Sequence, residues 1–335
     1  MHKIKIWYIN FLEKNKLNVR QTILLFLLWL LSLLHAAIIS IRDFLYGLKI
    51  LPIYRCDKKI ISIGNLSWSG TGKTTLALYL YEKLSSQYKL CVLRRGYGDD
   101  EEKLFGEKKA EVFSSVNRVN LVKKLSENFD LFLLDDGFQY RKLYRNLNIV
   151  VMGAREFERK IRLLPAGIFR EPLSALKRAN ILIINYSDDM VNFSEIKSKI
   201  QTKYSHLKVF GAYYKLKRIF DLNGKEIPIS ALQNQKIAAL AAIGYPQGFF
   251  NQIQKSGIRV IKTIAYPDHY EFTKNEFGIV EEGLENNGIR NCLITYKDKY
   301  HLPEMNHKIN FYIFEIEIKI DEESRFLEEI KQKIN

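Results

Sequence analysis

The chain has 335 residues, room for about two domains with cores of their own. Its 52 Lys and Arg against 37 Asp and Glu give a formal charge of +15 at pH 7, which suits an anionic partner: nucleic acid, an acidic membrane surface or a phosphorylated substrate. The three cysteines, Cys56, Cys91 and Cys292, are scattered and form no C-x-x-C pair, which excludes a disulfide or zinc framework as the organising device.

Residues 1–20 mix Lys3, Lys5, Lys14, Lys16 and Arg20 with Ile4, Ile6, Trp7, Tyr8 and Phe11, and the run from Ile23 to Ile41 then carries no charge. That run is long enough for a membrane helix. Only Ser32, His35 and Ser40 interrupt it, where a core helix usually shows a polar stripe. No clear small-x-small site follows, which argues against a cleaved leader. The far flank, with Arg42, Lys49, Arg55, Lys58 and Lys59, is as basic as the near one. Charge therefore penalises carrying either flank across a bilayer, and the helix is expected to insert with both ends on one side.

Strands and helices alternate after residue 51. Ile60-Ile61-Ser62-Ile63 predicts a strand, the small residues up to Gly72 a loop, and Lys73-Thr74-Thr75 the start of an apolar-periodic helix near 73–87. Strand, loop and helix in that order make a nucleotide phosphate site. Backbone N–H groups of the loop and helix N-terminus point at polyphosphate, Lys73 adds a point charge, and the Thr74 hydroxyl suits Mg²⁺. Ser69, Gly70, Thr71, Gly72, Lys73, Thr74 and Thr75 are the expected cradle. A strict G-x-x-x-x-G-K-[ST] pattern has Gly where this chain has Ser67.

Further strands are predicted at 89–94, 131–134, 147–152 and 181–185, with a helix near 117–128 and the acidic cluster Asp99-Asp100-Glu101-Glu102 as a loop. Continuous apolar strands alternating with helices predict a parallel sheet with helices on both faces. Past residue 206, strands at 236–243, 258–264 and 290–295 and helices at 246–256 and 274–286 predict a smaller α/β domain, with an amphipathic helix at 321–333. The expected organisation is a membrane-associated region (1–50), a P-loop core (51–205) and a second α/β domain (206–335).

Asp135 and Asp136 follow four apolar residues at a strand's carboxyl end, where P-loop enzymes hold Mg²⁺ opposite the phosphate loop. Adjacent carboxylates at such a place repel unless a cation lies between them. Arg170, in Leu164-Pro165-Ala166-Gly167-Ile168-Phe169-Arg170-Glu171-Pro172, is either a bidentate clamp for phosphate or one half of an ion pair on a turn-rich loop. His269, in Tyr266-Pro267-Asp268-His269-Tyr270, is a candidate for facing a cleft, while the other histidines, His35 among them, have no such setting.

IGNLSWSGTGKTT, RRGYG, LLDDGFQYRKL, LLPAGIFREPLSALKRAN, AAIGYPQGFF and YPDHYEF, in this order, resemble the tetraacyldisaccharide 4′-kinase family of lipid A biosynthesis. The resemblance implies an ATP- and Mg²⁺-dependent kinase that phosphorylates the 4′-hydroxyl of a tetraacyldisaccharide 1-phosphate. It implies residence at the cytoplasmic face of the inner membrane, on an anionic surface. Lys73 and Thr74 would hold ATP phosphates and Mg²⁺, and Asp135 and Asp136 the metal. Asp99 would be the base for the sugar hydroxyl, with Asp100 and Glu101 as alternatives because the residues that usually follow RGYG are missing. His269 would partner that base from the second domain as it closes over the site. Tyr140 stands where the family usually has His, and Ser67-Trp68-Ser69 and Thr75 replace commoner residues. The alternative is a membrane-recruited partitioning or targeting NTPase, although those proteins carry Lys where this chain has Trp68. No aromatic-basic module for nucleic acid is present, and no obligate protein partner is expected.

Overall fold

The computed structural model describes residues 8, 11–12, 18–68, 70–96, 99–157, 160–268 and 270–335, with 99–101 described by backbone alone. Helix α1 (Val19–Gly47) opens on a capping box: the Asn18 side chain accepts from Gln21 N at 2.9 Å, and the Gln21 side chain accepts from Asn18 N at 3.2 Å. Among its buried and half-buried positions, Leu25, Leu28, Ser32, His35, Ile39, Arg42 and Tyr46 recur every three or four residues. The helix therefore has a polar stripe after all, turned toward the protein, while Phe26, Leu30, Leu34, Ile38, Ile41 and Phe44 stand exposed on other faces. By length and composition α1 is apolar enough to cross a membrane.

Cα packing divides the chain into two units. The larger comprises Trp7–Tyr97, Phe105–Tyr213 and Ile320–Asn335, and the smaller is chiefly Tyr214–Lys319. In the larger unit, β1 (Lys59–Gly64), β2 (Leu90–Arg94), β3 (Val112–Ser114), β4 (Leu131–Asp135), β5 (Leu147–Gly153), β6 (Ile181–Asn185) and β7 (Lys208–Asp221) lie in the order β3-β2-β4-β1-β5-β6-β7. Neighbouring strands pair in parallel, and the central strands are buried along their length. Helices α2 (Lys73–Leu84), α3 (Asp99–Glu107), α4 (Arg118–Leu125) and α5 (Phe193–Lys203) connect them, α3 being divided between the units, with its residues up to Leu104 in the smaller. Strand order reverses at β1: earlier strands build outward past β4, later ones past β5. Open parallel sheets bind ligands outside the carboxyl ends at such a switch point, which is where the loop after β1 emerges.

The smaller unit holds β8 (Ile237–Ala241), β9 (Val260–Ala265), β10 (Asn291–Thr295) and β11 (Asn310–Ile320) in the order β11-β10-β8-β9, all parallel, with α6 (Pro246–Lys255) and α7 (Lys274–Glu285). The sequence boundary at 205/206 falls just ahead of β7. The division between units runs inside β7, and α8 (Glu323–Ile334) belongs to the larger unit, where Phe326 lies with ring centroids 6.4 Å from Tyr79 and 5.4 Å from Phe210.

The acidic cluster expected as a loop is instead the first turn of α3. Acidic residues are favoured in the first turn of a helix, at the positive end of its dipole, and the fully buried Phe105 anchors the helix on its apolar side.

Candidate active site

The phosphate loop is fixed by hydrogen bonds made mostly by its own buried side chains. Asn65 donates through Nδ2 to Thr71 Oγ1 at 3.1 Å, and Asn185, at the end of β6, donates to the Thr71 carbonyl at 2.6 Å. Thr71 is thus turned inward as a brace. Ser67, where a strict motif has Gly, donates its hydroxyl to the buried Glu156, so the substitution serves the loop's anchorage. Gly72 takes φ +84°, a left-handed turn that costs glycine nothing, and leads into Lys73 at the start of α2. The first N–H groups of that helix have no intrahelical acceptor and suit phosphate oxygens.

A second loop is zipped to the first. Residues 66–68 pair with 168–171: Trp68 N donates to Ile168 O at 2.8 Å, and Arg170 N and Glu171 N donate to Leu66 O at 2.7 and 3.2 Å. A Cβ at Gly167 would come within 2.2 Å of the Arg162 carbonyl, so this loop folds back on itself only with glycine there. The pairing brings Arg170 to the mouth of the phosphate loop. Its guanidinium forks onto Asp136 at 2.9 and 3.1 Å and also reaches the Asn65 side chain. Lys73 Nζ is 3.8 Å from the same carboxylate. Burial pushes the Asp136 carboxyl up, but Arg170, Lys73 and Arg118 together more than offset this and hold it at about 2. Arg170 is therefore an ion-pair partner, its fork taken by Asp136 beside the cradle.

Asp135 lies in register with Ile63, on the strand next to the one that feeds the loop. It is buried, its Oδ2 lies 3.4 Å from Arg94 Nε, and its Oδ1 accepts from Asp136 N at 3.0 Å. Asp136 has φ +49°, a left-handed conformation that costs a non-glycine residue about 1–2 kcal/mol. Two arginines that sequence reasoning missed hold this turn. Arg118 NH1 donates to the carbonyls of Asp135 and Asp136, both at 3.2 Å. Arg145 NH1 donates to those of Gly137, Phe138 and Tyr140 at 3.1–3.3 Å. Burial, then Arg178 and Arg141, pull the Arg145 guanidinium down to about 10. Tyr140 offers its ring to Arg118 at 4.3 Å and accepts from Val119 N at 3.3 Å, contacts that suit an aromatic here. Single arginines binding carbonyls leave no spacing to read in a sequence.

A cleft of about 740 Å³ opens beside these groups, lined in part by Tyr46, Arg95, Arg118, Asp136, Tyr140 and Arg170. Ser69 and His269 lie outside the described residues, as does the Asp99 side chain. Asp99 itself opens α3.

A phosphate loop at the switch point of a parallel sheet, with carboxylates on the neighbouring strand and a lysine and a forked arginine at its mouth, defines a P-loop phosphotransferase. A family model described as tetraacyldisaccharide-1-P 4′-kinase matches residues 24–110 and 100–335. Relatives named tetraacyldisaccharide 4′-kinase include one from Aquifex aeolicus, 30% identical over 84% of this chain and 97% of that protein, and one from Halothermothrix orenii, 27% identical over 95% of each. The crystal structure of Aquifex aeolicus LpxK in complex with ATP is similar at a TM-score of 0.71 and 27% identity, covering 91% of this chain and 98% of that one. The chain belongs to the tetraacyldisaccharide-1-P 4′-kinase family, and is an ATP-dependent kinase of lipid A biosynthesis. The match over both units sets the partitioning-NTPase alternative aside.

Because the folded-state value of Asp136 lies near 2, below the ordinary 3.8, its contribution to stability is present above about pH 4 and is lost as pH falls toward 2. Asp136→Asn is expected to be less stable than the parent at neutral pH, with the two converging from pH 4 to pH 2. Denaturant unfolding across that range measures the gap, and a gap that stays constant contradicts the ion-pair assignment.

Proposed function

We propose that the chain transfers the γ-phosphate of ATP to the 4′-hydroxyl of a tetraacyldisaccharide 1-phosphate at the cytoplasmic face of the inner membrane. The observation that carries this reading is the pairing of residues 66–68 with 168–171, which sets Arg170 and Lys73 on one carboxylate beside the cradle. Both cations are then placed to stabilise charge that develops on the transferred phosphoryl group. Positioning and electrostatics do most of the work in such a transfer.

Mg²⁺ fits the donors present. Thr74 supplies a hydroxyl in the first turn of α2, and Asp135 and Asp136 supply carboxylates at the end of β4. Among the described residues no group of three or more His, Cys, Asp or Glu makes an all-protein cage, which suits an ion that keeps waters and phosphate oxygens as ligands. An ion held there would supply positive charge to neutralise the ATP phosphates. Ser69, Gly70, Thr71, Gly72 and Thr75 complete the cradle. Asp99, following the loop after β2, is the base for the sugar hydroxyl, with Asp100 and Glu101 as its alternatives, and His269 is its partner from the C-terminal domain, which closes over the site.

The exposed apolar faces of α1 support insertion into the membrane from the cytoplasmic side, while its inner stripe stays on the protein. Basic flanks at both ends are then held by anionic headgroups at about 1 kcal/mol per residue. The acyl chains of the substrate reach the protein at the same depth, and no nucleic acid or obligate protein partner is invoked.

Thin-layer separation of products from labelled ATP and a lipid disaccharide tests the activity. Transfer to lipid is expected, and Lys73→Ala is expected to lose roughly 10²–10³ in rate with its circular dichroism unchanged. ATP hydrolysis without lipid product, or a folded Lys73→Ala enzyme with near-parental turnover, contradicts the reading. For the membrane arrangement, an Asn10→Cys variant in intact cells is expected to resist a membrane-impermeant thiol reagent until lysis. Labelling before lysis places the N-terminus outside and refutes the one-sided insertion.

A further inference from the structure

The N-terminal region grips the Arg170 loop at three points. The Tyr8 hydroxyl donates to the carbonyls of Pro165 and Gly167, the latter at 3.0 Å. His35 Nε2 lies 3.0 Å from the Arg170 carbonyl, and since a carbonyl only accepts, His35 donates through Nε2–H. Arg42 NH2 lies 3.1 Å from Glu171 Oε1, and Arg178 takes the other oxygen of that buried carboxylate. His35, Ile39, Arg42 and Tyr46 all belong to the inner stripe of α1.

These contacts string Arg170 between two elements. Its N–H is tied to Leu66 of the phosphate loop at 2.7 Å, its C=O to His35 of α1, and the following residue to Arg42. From that fixed Cα the side chain reaches Asp136. A helix that served only as an anchor has no use for an imidazole and a guanidinium on its inner face, where desolvation disfavours both.

We infer that α1 is part of the phosphoryl-transfer machinery as well as the apolar element: His35 and Arg42 are positioning residues that set Arg170 through its own carbonyl and through Glu171. Seating of α1 on the core thereby fixes where the Arg170 guanidinium stands over the phosphate loop. The inference rests on the reading of Arg170 as a phosphate-handling residue, and the test separates the two.

Steady-state kinetics compare the full-length parent with His35→Ala, His35→Gln, Arg170→Ala and the His35→Ala/Arg170→Ala double variant. His35→Ala is expected to lower kcat about five- to twentyfold, with KM for ATP and lipid within about twofold. His35→Gln, whose amide N–H can donate to the same carbonyl, is expected to recover most of the loss. In the Arg170→Ala background, removing His35 is expected to cost less than about twofold, because the group it positions is gone. An equal loss in both backgrounds, or no loss at all from His35→Ala, overturns the inference. Near-parental turnover by Arg170→Ala instead overturns the reading of Arg170. Should His35→Ala fail to fold, Arg42→Lys, which keeps the charge but loses the guanidinium that reaches Asp43 and Glu171 together, gives the same cycle with an expected loss of about threefold.

Discussion

The site depends on one carboxylate. Asp136 takes the Arg170 fork on both oxygens and Lys73 at 3.8 Å, so two cations from distant parts of the chain are held at one point. Left alone at the edge of the loop, each would move freely and repel the other. Held against Asp136, they form a fixed positive field at the mouth of a cradle of backbone N–H groups. Preorganised charge of this kind does most of the work in phosphoryl transfer, because the protein need not reorganise as charge develops.

Holding Asp136 still is costly, and the surrounding arginines offset that cost. The residue sits at φ +49° in a turn where Arg118 and Arg145 take five of the six carbonyls from Asp135 to Tyr140. Next to this lies Glu171, 1% exposed and shared by Arg42 and Arg178. Losing one partner of such a buried charge costs about 3–5 kcal/mol, whereas a solvent-screened pair such as Lys199–Glu195 contributes far less. The buried pairs therefore decide the geometry.

What the sequence made legible was whatever is local. The phosphate loop, the strand before it and the helix after it are contiguous, and Asp135-Asp136 marks a strand end by itself. Arg170 was ambiguous because its place comes from pairing with residues about a hundred positions earlier, which no period reveals. His35 looked like a chance polar residue in an apolar run. Its signal was the spacing Ser32, His35, Ile39, Arg42, Tyr46, visible only when the run is extended past its last apolar residue. Strand β11 was overlooked although Phe314-Glu315-Ile316-Glu317-Ile318-Lys319-Ile320 alternates strictly. The turn of acidic residues at α3 was read by composition, when its position at a helix N-terminus was the deciding fact.

Helix α1 carries two different surfaces, an apolar one that suits lipid and a polar stripe that reaches the Arg170 loop, so the proposed membrane attachment and the proposed site share an element. All of this converges on Asp136, and the kinetics of Asp136→Asn test it most directly. With the carboxylate's charge removed but its shape kept, kcat is expected to fall by at least about 10²-fold, while KM for the lipid stays within about twofold. A folded Asp136→Asn enzyme with kcat near that of the parent would show that the two cations need no common anchor, and would contradict the account.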